Sequence, residues 1–165
     1  MSFLRFSFLI VAILMTSAPR PANAQTDGAF ARLQLELADL STLPIDEALA
    51  RVDTALAGAG LADPRITFDL GMAKAELLVE AGRIEEAARF YAQLGALAAR
   101  ERQVLEEDPV ALYDTAATLF VQAGNPAAAL EMVQGILDEQ RDSGRSGDIL
   151  SATFARLADL ARLAG

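Results

Sequence analysis

Carboxylates are the only abundant groups in this 165-residue sequence that could do chemistry: 23 Asp and Glu stand beside 14 Lys and Arg, with no His, Cys or Trp. The missing residue types exclude Cys nucleophiles, Ser-His-Asp triads, disulfides, zinc sites built on Cys or His, and haem held by a His or Cys axial ligand. Two carboxylates can hydrolyse a bond when they face each other across a cleft and burial raises the pKa of one. Here the acids run side by side, as Glu85-Glu86, Glu106-Glu107-Asp108 and Asp138-Glu139. Neighbours on a helix point about 100° apart, so these pairs address no common substrate and read as solvated faces. Glu85 and Glu86 also fall in a first helical turn, where negative charge suits the macrodipole. Lys74 is the sole lysine. A lone lysine can form a Schiff base, but among Met72, Ala73 and Glu76 it reads as a surface charge. The stretch from Asp142 to Asp148 lacks the 12-residue spacing and terminal Glu of a calcium loop and carries Arg145 in its middle. It reads as an inter-helix turn, with Asp148 capping the last helix. Gly58-Ala59-Gly60 lacks the third Gly, the Lys and the preceding strand of a phosphate loop, and reads as a helix terminator. The expectation is therefore no enzyme, no metal and no cofactor. A hydrolytic or ligand-binding use of the carboxylates is the least favoured alternative.

The first 24 residues read as a signal peptide. Arg5 precedes a ten-residue apolar run, Phe6 to Met15, and a polar stretch then leads to Ala22-Asn23-Ala24, with small residues at −3 and −1 of a cleavage site. Ten residues rise only about 15 Å as a helix, half a bilayer core, which disfavours a permanent anchor. No membrane insertion is expected after cleavage, and no Cys is present for lipidation. Export to a periplasm is expected, with secretion as the alternative. The domain would then span 25–165. Loss of Arg5 and Arg20 leaves 12 basic against 23 acidic residues, a net charge of −11, which repels nucleic acid and anionic lipid and favours basic partners.

The elements that must position any surface are helices. No run alternates with period 2, and Ala, Leu, Glu, Arg and Gln dominate. Breakers divide the chain into expected helices over 28–41, 45–58, 65–81, 84–105, 110–123, 126–142 and 148–163. Asp63-Pro64, Asp108-Pro109 and Asn125-Pro126 supply a capping side chain followed by a Pro at the first helical position. Gly82 and Gly124 stand where a helix ends in the left-handed conformation.

The stretches 75–91 and 117–133 repeat at an offset of 42: Ala75 matches Ala117, Leu78 Phe120, Val79 Val121, Ala81-Gly82 Ala123-Gly124, and Ala87 Ala129. This pattern resembles the tetratricopeptide repeat, in its long, kinesin-light-chain-like form. Ala75, Leu78, Gly82, Ala87 and Tyr91 fill the motif once, and Ala117, Phe120, Gly124, Ala129 and Val133 fill it again. Tyr113 takes the early aromatic position in the second copy, whereas Gly71 stands there in the first. The resemblance implies an all-α fold: a right-handed superhelical stack of antiparallel helix pairs, about three repeats and a C-terminal capping helix. Asp148, Arg156, Asp159 and Arg162 would be available for the solvent side of that cap. An up-down helical bundle is the plainer alternative.

In such a stack the first helices line a concave groove. The resemblance places Asp69, Met72, Glu76, Val79 and Glu80 in it from one repeat and Ala111, Asp114, Thr118, Val121 and Gln122 from the next. Ala155, Asp159 and Arg162 would follow from the last helix. These acidic and apolar positions do not suit a C-terminal carboxylate; they suit a partner segment carrying basic and apolar residues. The expected function is a protein–protein interaction module, adaptor or scaffold. The runner-up is a subunit that associates with further copies of itself in an envelope assembly, and plain solvent exposure of the groove stays open.

Overall fold

The computed structural model describes residues 39–40, 42–59 and 63–144, together with 152, 153, 155, 156, 158–160 and 162. The expected signal peptide, most of the expected helix 28–41 and the turn residues 145–148 lie outside the described residues. The chain forms two units, 1–43 and 44–165. In the first, a helical end at Asp39 and Leu40 closes through a turn in which Thr42 donates from both its amide and its hydroxyl to the Asp39 carbonyl.

Every described element of the second unit is helical: α1 (Ile45–Ala59), α2 (Pro64–Glu80), α3 (Ile84–Arg100), a four-residue α4 (Arg102–Leu105), α5 (Pro109–Gln122) and α6 (Pro126–Asp142). The described residues between 152 and 162 are helical again. Three helices begin as their sequences dictate. The Asp63 carboxylate accepts the Arg65 amide at 2.9 Å, Asp108 accepts Val110 at 3.0 Å, and the Asn125 side chain accepts Ala128 at 3.1 Å. In each case Pro occupies the opening turn, where its missing N–H leaves nothing unsatisfied.

Two helices end identically. Gly82 and Gly124 have φ of +73° and +77°, a conformation that only glycine adopts freely. Behind them, Arg83 N–H donates to Leu78 C=O and Asn125 N–H to Phe120 C=O, both at 2.8 Å. Gly82 N–H and Gly124 N–H donate to Val79 and Val121 carbonyls, both at 3.0 Å. These are the paired bonds of a Schellman motif, repeated with an offset of 42.

The helices pack in chain order: α1 on α2, α2 on α3, α3 on α5, and α5 on α6. Matched positions carry matched burial. Ala75, Ala87, Ala117 and Ala129 are fully buried, letting helix backbones approach, and Leu78 and Phe120 are buried beside them. Leu78, Phe120, Val133 and Leu160 join one core cluster with Leu49; Phe68, Leu94 and Leu112 form another. Burial of side chains this size stabilises by about 1.5–3 kcal/mol each. The exception at Gly71 has a steric reason. A Cβ there would lie 2.7 Å from Leu94 Cδ2, so Leu94 of α3 fills the space that an aromatic would take. At the matching position Tyr113 has room, because its ring lies between Gly95 of α3 and Gly135 of α6.

One expected helix is corrected. The span 84–105 is not continuous: the chain leaves helical geometry at Glu101 (φ −106°, ψ 30°), makes the short α4, and reverses at Glu106, which is left-handed at φ 58°. Tertiary ties hold this bend. Arg65 Nε donates to the Val104 carbonyl at 3.1 Å, and Arg102 pairs with Glu139 of α6.

Candidate functional site

The expected groove residues split into two environments. On α5, spacings of three and four put Ala111, Asp114, Thr118, Val121 and Gln122 on one face, and all five are exposed. Val121 is the one large apolar side chain exposed among the described residues, at 42%. On α2 the equivalent line is half-buried as far as Val79, and only Glu80 is exposed. Met72 packs against the cluster of Phe68 and Leu94, and Val79 against that of Leu78 and Phe120. Their apolar surface is therefore shared with the core.

Burial changes the acids of α2. The Asp69 carboxyl is pushed up to about 6 by desolvation, then by the charges of Glu107 and Asp63, with Arg65 opposing. Desolvation raises Glu76 as well. Tyr91 of α3 is pushed up to about 12, first by burial and then by the charge of Glu76, so Glu76 and Tyr91 are electrostatic neighbours. The composition of the α2 face, which reads as a solvated acidic line, does not reveal these neighbours. A raised carboxyl is also what a general acid requires, but Glu107, its chief charged neighbour, is itself exposed.

Asp114 and Thr118 are engaged by the C-terminal segment. Arg156 Nη1 pairs with Asp114 Oδ1, and Arg156 Nη2 donates to Thr118 Oγ1 at 3.4 Å. The Thr118 hydroxyl itself donates to the Asp114 carbonyl at 3.0 Å. Arg156, expected on the solvent side of the cap, instead faces α5. Buried Gln140 of α6 ties the same segment down, accepting from Thr153 Oγ1 at 2.9 Å. Asp159 and Arg162 pair with each other, and both they and Ala155 are exposed. Between α5, α6 and this segment lies a cleft of about 320 Å³. Its apolar lining is Val110, Ala111, Val133 and Ile136, and its polar lining includes Asp108, Asp114, Gln140 and Arg156.

Lys74 is corrected too. Its side chain is only 18% exposed, pairs with Asp53 of α1, and sits 4.3 Å from the centre of the Phe90 ring on α3. This cation–π contact and ion pair join three consecutive helices and leave Lys74 a positioning role. Among the described residues no group of three or more Asp and Glu is placed to hold a metal ion, and no helix is long and apolar enough to cross a membrane. The chain matches no protein-family model, no curated protein and no solved structure.

Proposed function

We propose that this chain is an exported, non-catalytic interaction module of the tetratricopeptide kind, which holds a basic and apolar segment of a partner protein against its first helices. The observation that carries the reading is the repeated helix pair. Terminator, buried alanines and neighbour-to-neighbour packing recur at an offset of 42, and the repeat leaves a line of exposed residues along α5. The family's usual repeat is about 34 residues, and the bent connection 101–108 supplies part of the excess. A stack of this type buries each face only against its neighbours and keeps one side of each first helix for a ligand. The acidic character of Asp69, Glu76, Glu80 and Asp114 favours a cationic segment, and Val121 adds an apolar anchor. Export follows from the N-terminal 24 residues, and a periplasm is the expected destination. Self-association with further copies through the last helix is the second reading.

Charge reversal tests the surface. Glu76→Lys with Asp114→Lys, checked for fold by circular dichroism, should abolish retention of the partner that the unaltered protein captures from an envelope extract. Undiminished capture would remove the acidic face from consideration.

A further inference from the structure

We propose that Asp114 and Thr118 form a subsite for a guanidinium group, and that Arg156 of the chain's own C-terminal segment occupies it until an arginine of the partner takes its place. The proposal rests on the reading of this face as the binding surface and names the chemistry it recognises.

A guanidinium is already seated there. Arg156 reaches Asp114 with one terminal nitrogen and Thr118 with the other, and this fork recognises paired oxygens better than a lysine does. The seat is open to exchange, since the Arg156 and Asp114 side chains are 37% and 52% exposed. An ion pair this exposed favours its closed state by at most about fivefold, so a competing cation can displace it.

The cleft beside the pair has a cause in the repeat. Shifted back by 42, its wall residues Val133 and Ile136 correspond to Tyr91 and Leu94. The earlier repeat fills that space with an aromatic ring and with the leucine packed on Gly71. In the later repeat Ile136 matches Leu94 in size but Val133 lacks the ring of Tyr91, and a cleft of about 320 Å³ walled by Val110, Ala111, Val133 and Ile136 remains. The stem of an incoming arginine and an adjacent apolar residue fit this space, which Asp108, Asp114 and Arg156 line among the described residues. Arginine side chains commonly bury the stem in this way while the head stays polar.

The test uses butylguanidinium as the probe, titrated into the full mature chain and followed by amide NMR shifts. Arg156→Gln should bind it about fivefold more tightly than the unaltered protein, because the internal competitor is gone. The shifts should centre on Ala111, Asp114 and Thr118. Adding Asp114→Asn should erase the gain. Arg156→Lys, which keeps the charge and loses the fork, should fall between. Equal affinity in Arg156→Gln and the unaltered chain, or a gain that survives Asp114→Asn, would show that Arg156 only staples the segment to α5 and would overturn the proposal. Should Arg156→Gln unfold the segment, as read by amide exchange at 152–162, Arg156→Lys decides alone: affinity equal to the unaltered chain overturns the proposal. Such a result, obtained while partner capture remains sensitive to charge reversal at Glu76 alone, would remove the subsite and leave the binding surface standing.

Discussion

Two glycines on either side of one tyrosine ring should respond oppositely to the same substitution. Gly95 of α3 and Gly135 of α6 are both helical, and alanine at a helix interior stabilises by about 1 kcal/mol over glycine. At Gly135 the added methyl would meet Tyr113 ring atoms at 3.6–3.7 Å, an ordinary contact. Gly135→Ala should therefore stabilise by nearly the full propensity gain. At Gly95 the methyl would lie 2.9 Å from Tyr113 Cδ1 and Cε1 and 3.2 Å from Cζ. The ring is rigid and flanked on its other side, so α3 and α5 must separate, at a cost of about 1–3 kcal/mol. Net destabilisation of about 1 kcal/mol is expected for Gly95→Ala, a difference of about 2 kcal/mol between the two variants. Urea unfolding at neutral pH measures both. In a Tyr113→Ala background both alanines should stabilise. If Gly95→Ala is as stabilising as Gly135→Ala with Tyr113 intact, the ring does not lie between these helices and the packing of α3 on α5 is wrong.

Further outcomes follow from the caps and the buried acids. The Asp69 carboxyl titrates near 6 in the fold against 3.8 ordinarily. The native state thus holds the proton more tightly than the unfolded chain, and stability falls as pH rises between those values. Asp69→Asn should add about 1–2 kcal/mol at pH 7, discounted for partial exposure, and nothing below about pH 4, by urea unfolding across that range. Gly82→Ala and Gly124→Ala meet no atom within 4 Å of the new Cβ, so each should lose only the left-handed backbone penalty, about 1 kcal/mol. Asn125→Ala should lose about 1 kcal/mol by thermal unfolding, because the Ala128 amide loses its capping oxygen.

Much of the fold is legible wherever a residue type permits few conformations. Asp-Pro and Asn-Pro announce the starts of α2, α5 and α6, and Gly82 and Gly124 announce ends that only a left-handed residue can make. The break at Glu101 was not legible. No Gly or Pro marks it, and Glu106 takes the left-handed conformation under tertiary ties from Arg65 and Arg102. Helical spacing puts the α5 line on one face, and the family resemblance pointed to that face as the open one. The half-burial of Asp69 and Glu76 was not legible, nor were their electrostatic neighbours Glu107 and Tyr91, which are distant in sequence and come near only through packing. Arg156 meets Asp114 across 42 residues, so its partner depends on how successive first helices face each other. Lys74 looks like a surface charge until Asp53 and Phe90 are brought to it.

The central claim is that a partner lies along the exposed face of α5. Site-specific photo-crosslinking tests it directly, with p-benzoylphenylalanine at Val121 and, as the control, at Arg89 on the exposed side of α3. In the native host cells, Val121 should yield one dominant adduct with a second protein and Arg89 none. Adducts of equal yield at both positions, or none at Val121, would contradict it.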